Sequence, residues 1–171
     1  TFIADGLKNS PVMMQANIVE GLDVSITKAY APKSKIEKKP YNKKYLPIMV
    51  LRYQGEVWGN PFVVTYESYQ GSENPVIEST SRLMQVVEFK GIKVTAKVDN
   101  NVIEQYILIQ QGRKNVYSNK ALDINFTGTF GIITLTNGQL SELYIGAGSN
   151  LRYKKHELKT KESDSAAYQQ F

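Results

Sequence analysis

Alternation between apolar and polar residues is the main pattern along this chain. In residues 92–98, an apolar side chain occupies every second position, and lysine or threonine stands between them. A period of two predicts a β-strand with one buried face. Residues 99–101, Asp-Asn-Asn, form a turn signal, and the isoleucine-rich residues 102–110 predict the strand that returns. This stretch therefore predicts a β-hairpin.

Further strand and turn signals occur on both sides of this hairpin. Asn137-Gly138 lies between the β-branched residues 131–136 and the apolar residues 140–145, and Asn-Gly is a strong two-residue hairpin turn. Residues 146–148, Gly-Ala-Gly, predict another turn, and residues 77–89 predict one long strand or two. No segment has the period of an amphipathic helix over several turns. The other predicted strands are residues 12–19, 24–30, 46–54, 61–66, 122–126 and 151–153.

Many short strands joined by small turns predict an all-β fold. We expect an antiparallel β-sandwich of roughly a dozen strands, with a closed barrel-like stack as the alternative. The sandwich domain is predicted to occupy residues 1–158, and residues 159–171 form a polar C-terminal tail. This tail is expected to be a frayed end or a linker, unless Tyr168 and Phe171 pack back onto the domain.

Composition excludes several classes of protein. The chain has 171 residues, no cysteine, one histidine and one tryptophan. It fits a single domain, and it is not a disulfide scaffold, a cysteine-zinc or iron–sulfur protein, or a thiol enzyme. No apolar run is long enough to span a membrane, so we expect no membrane partner. The chain begins at Thr1 in a predicted strand, which favours a piece of a longer protein over a secreted protein that has lost its signal peptide.

The net charge of +5 is concentrated in one segment. This Lys-rich segment, residues 33–44 (KSKIEKKPYNKK), contains six lysines and one acid, while the rest of the chain has equal numbers of basic and acidic residues. Pro32 and Pro40 favour an exposed loop. One interpretation is a loop that binds acidic polysaccharide or another polyanion, and the other is a solvated loop without a ligand. The glycan-binding candidates here are Lys33, Lys35, Lys38, Lys39, Lys43 and Lys44.

A second basic cluster near the C-terminus allows the same two interpretations. No RNA-recognition signature and no phosphate-binding glycine loop accompanies the basic residues, so we expect no nucleic-acid partner. The members of the second cluster are Arg152, Lys154, Lys155, His156, Lys159 and Lys161.

Residues suited to catalysis are scarce. His156 is the single histidine, and no G-x-S-x-G turn is present to expose a serine nucleophile. A lone histidine among lysines is a poor metal ligand, so we expect no metal site and no cofactor. Two carboxylates could hydrolyse a glycoside, but close pairs are expected by chance among 16 acids, so we predict no catalytic residue. The acids nearest the aromatic segment are Glu56, Glu67, Glu73 and Glu78.

Aromatic residues are dense between positions 53 and 69. Trp58 lies in the turn-like sequence GEVWGN, and a tryptophan with neighbouring tyrosines is typical of a platform that stacks on sugar rings. Tyr53 and Tyr69 are the glycan-binding candidates that would complete this platform. The alternative is that Trp58 closes the core at the end of a strand. Phe62 and Tyr66 share one face of a predicted strand and are expected in the core.

Three stretches of the sequence together resemble a known domain. Their order, with a PF-x-V-x-YE strand and a closing LYIG-x-G, is similar to the β-sandwich that follows the α-helical toroid in heparinase II/III-like polysaccharide lyases. The stretches are LPIMVLRYQGEVWGNPFVVTYESYQG (46–71), NPVIESTSRLMQVVEFKGIKVTAKVDNNVIEQYIL (74–108) and ALDINFTGTFGIITLTNGQLSELYIGAGSNLRY (121–153).

The resemblance implies a piece of a periplasmic or secreted bacterial enzyme that degrades acidic polysaccharide. In such lyases a Tyr or His base, normally in the toroid, removes the proton next to a uronate carboxylate. The missing toroid would be a partner of this chain. Some relatives also hold histidines and zinc in a β domain, but with His156 alone no metal ligand and no neutralising histidine carries over. Independent lyase activity is therefore not expected.

These observations predict a non-catalytic accessory β-sandwich of a polysaccharide lyase that contacts acidic glycan through the Lys-rich segment. Two alternatives stay open. An autonomous carbohydrate-binding module would expose Trp58 with Tyr53 or Tyr69, and a structural β domain would bind only protein. The accessory hypothesis also predicts an apolar patch that docks onto the toroid.

Overall fold

The computed structural model describes residues 2–4, 12–19, 22–30, 45–55, 59–161 and 165–171. These residues form thirteen β-strands and no helix, so the all-β prediction is confirmed. No membrane-spanning helix is found in the described ranges. The strands are β1 (Phe2–Ala4), β2 (Val12–Ile18), β3 (Asp23–Tyr30), β4 (Tyr45–Arg52), β5 (Val64–Gln70), β6 (Ile77–Gln85), β7 (Glu88–Val98), β8 (Asn101–Ile109), β9 (Val116–Asn119), β10 (Ile124–Thr136), β11 (Gln139–Tyr153), β12 (His156–Lys159) and β13 (Ala167–Gln170).

The described strands form three antiparallel sheets. One has the order β1-β2-β5, and another is the two-stranded ribbon of β3 and β4. The largest sheet runs β12-β11-β10-β8-β7-β6, with β9 paired to part of β10 and β13 paired to part of β11. Most of its pairs are hairpins between strands that follow each other along the chain. This local connectivity is what the turn signals in the sequence predict.

The hairpin of β10 and β11 is the spine of the large sheet. Residues 124–127 of β10 pair with β9, whereas residues 130–136 pair with β8. β11 changes neighbours in the same way, because residues 142–145 pair with β13 and residues 150–153 pair with β12. The large sheet therefore consists of two groups of strands that share the spine. The first group contains β9 and β12, and the second contains β6, β7, β8 and β13.

Glycines allow the two long strands of the spine to approach closely at their middles. The pairing register shifts around Gly128, which lies opposite Gly148. A Cβ on Gly128 would lie 2.5 Å from the carbonyl oxygen of Ala147, and a Cβ on Gly148 would lie 2.6 Å from that of Thr127. No side chain fits at these distances, and the bulges allow the hairpin to bend here. The turn expected at residues 146–148 is wrong, because these residues continue β11 through the bend.

The two groups of strands contribute to one hydrophobic core. In the spine, Phe126 and Leu151 lie where it pairs with the first group, and Ile133 lies where it pairs with the second. All three side chains are fully buried in the same cluster. The rings of Tyr106 in β8 and Tyr153 in β11 stack with their centroids 6.4 Å apart. Burial of each large apolar side chain contributes about 1.5–3 kcal/mol. This shared core confirms the predicted sandwich, and its other buried members are Leu83, Leu108, Tyr117, Ile124, Leu135, Leu143 and Ile145.

The three-stranded sheet is fixed to β6 by polar contacts. The Glu67 carboxylate in β5 accepts hydrogen bonds from the backbone N–H groups of Val76 and Ile77, at 2.6 and 2.9 Å. The side-chain amide of Gln15 in β2 donates to the carbonyl oxygen of Ile77, at 3.1 Å. These contacts hold β2 and β5 beside the beginning of β6.

Several strand boundaries differ from the sequence prediction for local reasons. β5 begins at Val64 and continues through polar residues to Gln70. Residues 77–89 divide into β6 and β7 at a turn in which Val86 has a φ of 60°. β9, β12 and β13 are four residues each, too short for alternation to identify them. β13 lies in the segment predicted as a tail and pairs with β11.

We predict that Gly128→Ala lowers the free energy of unfolding by about 2 kcal/mol, because a Cβ forces apart two backbones that are in contact. Gly59→Ala is the matched control, since nothing lies within 4 Å of a Cβ at that position. Urea unfolding followed by circular dichroism measures both variants. Equal unfolding midpoints would contradict the requirement for glycine at the bend.

Candidate functional site

Side chains suited to metal binding are dispersed in the part of the chain that the structure describes. There, no group of three or more His, Asp or Glu side chains is placed to hold a metal ion. His156 lies at the start of β12, where its ring packs edge-on against that of Phe171 with centroids 4.6 Å apart. The described ring contact of this histidine is therefore with an aromatic side chain, and two lysines precede it in the sequence.

The acids near the aromatic segment have structural contacts. Glu67 accepts the two backbone hydrogen bonds that hold β5 beside β6. The carboxylate of Glu73 accepts a hydrogen bond from the N–H of Gln70 at 3.3 Å, within the turn after β5. Glu78 is exposed on β6, and Glu56 lies outside the described residues. The described acids thus fix backbone geometry or face solvent.

The ribbon of β3 and β4 is exposed on both of its faces. Its register runs from Asp23 opposite Arg52 to Tyr30 opposite Tyr45, and neither strand pairs with another described strand. Ile26 on one face is 73% exposed, and a second apolar residue, Ile48 on the other face, is 38% exposed. A two-stranded ribbon with apolar residues in solvent is marginally stable alone. The ribbon therefore presents apolar side chains to solvent on both of its faces.

A stacked pair of tyrosines ends the ribbon at the point where the Lys-rich segment joins its strands. The rings of Tyr30 and Tyr45 have centroids 4.3 Å apart, and each residue is 58% exposed. A hydrogen bond with Tyr45 raises the pKa of the Tyr30 phenol above its ordinary value of 10.0. Residues 31–44, and with them all six candidate lysines, lie outside the described residues. In the sequence, Lys44 directly precedes Tyr45.

The tyrosines predicted to act with Trp58 belong to different elements. Tyr53 is half-buried just after β4, and with Asp23 it lines a shallow cleft of about 420 Å³ at the base of the ribbon. Tyr69 is half-buried in β5, in a separate sheet. Trp58 itself lies outside the described residues. The stacking platform of these three residues therefore stays a prediction.

Two aromatic residues that were expected in the core lie at the surface. Phe62 is 49% exposed and Tyr66 is 58% exposed, so this expectation is wrong. The reason is the direction of β5, which turns its more polar face toward β6. On that face the hydroxyl of Thr65 lies 3.0 Å from that of Thr80, and Glu67 makes its backbone contacts. The polar residues Thr65 and Glu67, which alternate with the aromatic ones, are the sequence feature that indicates which face of β5 packs against β6.

The second basic cluster contains both paired and unpaired cations. A guanidinium nitrogen of Arg152 lies 2.8 Å from the carboxylate of Asp123, and the ammonium of Lys159 lies 2.8 Å from that of Glu157. The hydrogen bond from Lys159 lowers the pKa of Glu157. Residues 154–155, two lysines in the turn between β11 and β12, form no ion pair with any described residue. Their charge is available to a ligand.

A protein-family model matches the part of the chain that forms the sandwich. Residues 77–171, more than half of the chain, match the family described as the endo-acting ulvan lyase C-terminal domain. This range begins at the first residue of β6 and includes all strands from β6 to β13. It therefore contains both groups of strands around the bent spine.

Comparison with characterised proteins extends the match toward the N-terminus. The chain is 32% identical over 160 residues to the endo-acting ulvan lyase of Formosa agariphila, a match that covers 92% of this chain and 19% of the relative. The chain thus spans about a fifth of the length of the curated relative it matches. No solved structure matches the chain significantly.

We predict that Glu67→Ala lowers the free energy of unfolding by about 1–2 kcal/mol, because two backbone N–H groups lose a charged acceptor. Glu78→Ala is the matched control, since Glu78 is exposed on β6 and we expect its replacement to change stability by less than about 0.5 kcal/mol. Urea unfolding measures both values. A Glu67→Ala variant as stable as the control would contradict the structural role of this carboxylate.

Proposed function

Because this chain belongs to the family of endo-acting ulvan lyase C-terminal domains, we propose that it is a non-catalytic accessory domain through which a polysaccharide lyase holds acidic substrate. The lyase to which it would belong is a longer protein, since the match covers only 19% of the curated relative. We propose the same substrate class that the relative's name states, ulvan. The reaction itself would take place in the remainder of the longer protein.

The chemistry of the reaction class supports an acidic ligand. A polysaccharide lyase removes a proton next to a uronate carboxylate, so its substrate carries regularly spaced negative charges. A domain that holds this substrate needs positive charge at an accessible surface. The Lys-rich segment, residues 33–44, supplies that charge, since it accounts for the entire positive excess of the chain.

The observation that carries the proposal is the connection of this segment to the exposed ribbon. The Lys-rich segment joins β3 to β4, and the described ends of those strands are the exposed tyrosines Tyr30 and Tyr45. Exposed aromatic rings stack on the C–H faces of sugars, and lysines attract their anionic groups. The tyrosines of the ribbon and the lysines of the adjoining segment would thus supply the two kinds of contact that an acidic glycan requires.

The apolar side chains of the ribbon favour a second contact, with the remainder of the longer lyase. Ile26 is 73% exposed, and glycan contact alone does not explain an isoleucine in this position. We propose that the ribbon packs against the polypeptide that makes up the other four-fifths of such a protein, as in the relative. The resemblance to heparinase II/III-like lyases favours an α-helical toroid as this partner. A polymeric substrate outside the cell favours a periplasmic or secreted bacterial protein.

We predict that the 171-residue chain binds ulvan and other acidic polysaccharides, and that the affinity falls by roughly tenfold or more between 0.05 and 0.5 M salt as charges are screened. Calorimetry with ulvan, heparin, polygalacturonate and a neutral glucan measures the binding, and the fluorescence of the single tryptophan is a second signal. The neutral glucan should not bind.

Two variants of the Lys-rich segment test whether its positive charge binds the glycan. Replacement of all six lysines by serine should weaken acidic glycan binding about tenfold or more, whereas replacement by arginine should preserve it. Salt-independent binding of the neutral glucan would favour the alternative module built on Trp58 and its tyrosines. Absence of binding to every polysaccharide would reject glycan contact and leave the docking role of the ribbon.

A further inference from the structure

A cleft of about 490 Å³ opens where the two ends of β11 meet. Leu140 lies at the beginning of this strand and Tyr153 at its end, yet both line the same cleft. Strand β11 must therefore curve between them, and the register shifts around Gly128 lie in this part of the spine. The turn residues Lys154 and Lys155, with His156 of β12, form the basic side of the cleft. Its volume is in the range of clefts that bind small ligands.

The charge of this cleft is uncompensated. The two ammonium groups of residues 154–155 have no ion-pair partner in the described part of the chain. The cations on either side of the turn, Arg152 and Lys159, are already paired with Asp123 and Glu157. No carboxylate belongs to the residues that line the cleft. An anionic group would therefore meet two free lysines without repulsion from an acid in the lining.

The turn that carries the lysines is held in place. Lys154 has a φ of 52°, a left-handed conformation that is uncommon for lysine. Its N–H donates to the carbonyl oxygen of Asp123 at 2.9 Å, and its own carbonyl oxygen accepts from Arg152 at 2.8 Å. Its ammonium group lies 5.1 Å from the centroid of the Tyr153 ring. Because the turn is already ordered, binding needs to immobilise little more than the ends of the lysine side chains.

An aromatic surface borders the basic side. The ring of Phe171, 46% exposed, packs edge-on against that of His156 with centroids 4.6 Å apart. The backbone N–H of Phe171 donates to the carbonyl oxygen of Ser141 at 2.9 Å, which fixes this residue to β11. Apolar ring faces next to cations suit a sugar that carries an acidic substituent.

We propose that this cleft is a binding site for an anionic saccharide unit, whose carboxylate or sulfate group is bound by Lys154 and Lys155. The inference rests on the proposed function, because the ligand would be part of the same acidic polysaccharide. It adds a second point of contact, in the half of the chain that matches the family, separate from the Lys-rich segment. A polymer bound at both points gains affinity because the second contact is intramolecular.

The test uses short ligands, which report a single site. Calorimetry of the 171-residue chain is performed with tetrasaccharides of polygalacturonate (carboxylate only), dextran sulfate (sulfate only) and a neutral maltotetraose. We expect binding of one or both acidic tetrasaccharides and none of the neutral one. The variant Lys154→Ser/Lys155→Ser should weaken acidic tetrasaccharide binding about tenfold or more. The variant Lys154→Arg/Lys155→Arg, which keeps the charge, should retain it.

A matched control separates the cleft from net charge. Arg113→Ser/Lys114→Ser removes two adjacent positive charges from the loop between β8 and β9. This control should bind acidic tetrasaccharides as the unmodified chain does. Circular dichroism and urea unfolding of each variant establish that the fold is intact before binding is compared.

Each outcome has a defined meaning. Equal loss of binding in the cleft variant and the control would overturn the proposal, since net charge alone would then explain the affinity. Binding of the neutral tetrasaccharide with the same affinity would also overturn it. If ulvan binding depends on the lysines of residues 33–44 but is unchanged in the cleft variant, the cleft proposal fails while the proposed function stands. If no acidic polysaccharide binds at all, both fail.

Discussion

The close approach of the β10 and β11 backbones at Gly128 and Gly148 is the contact on which the rest of the domain depends. The absence of side chains at both positions allows this approach, and register shifts around Gly128 accompany a bend of the long hairpin. The bend places Phe126 and Ile133 in one core although they lie on different parts of the same strand. It also brings Leu140 and Tyr153, at opposite ends of β11, to a single cleft. The same bend thus affects both which side chains meet in the core and which residues meet at the surface cleft.

The buried core cluster and the exposed β3-β4 ribbon are located in different parts of this molecule. The buried side chains of the core cluster belong mainly to the spine strands β10 and β11 and otherwise to β6, β8 and β9, all of which the family match covers. The exposed aromatic and aliphatic residues of the β3-β4 ribbon lie outside that match, although the relative's similarity extends over most of the chain. The acids that seemed available for chemistry, such as Glu67, hold sheets together. This organisation is compatible with the proposed role, in which surfaces of the domain contact a substrate and a larger protein.

The fold class and the local hairpins could be predicted from the sequence, because alternation and Asn-Gly turns are local signals. The prediction failed where a distant contact decided the outcome. Gly146 and Gly148 have the composition of a turn, yet they serve a close approach to another strand, which no local pattern indicates. Tyr66 was expected in the core, but the orientation of β5 depends on distant contacts. Thr65 hydrogen-bonds Thr80, and Glu67 accepts hydrogen bonds from the N–H groups at the beginning of β6. The lysine cluster was visible in the sequence, but its division into paired and free cations required the positions of Asp123 and Glu157.

The connectivity of the sheets has a consequence for the order of folding. In the large sheet, hairpins join strands that are adjacent in sequence, so their contacts form by closure of short loops. In the three-stranded sheet, by contrast, β2 pairs with β5, and Ile18 lies opposite Val64 with the ribbon and the Lys-rich segment between them. Closing so long a loop is entropically unfavourable until its contacts form. The C-terminal sandwich can therefore serve as the folding nucleus. The sheet of β1, β2 and β5 can then form its polar contacts beside the beginning of β6.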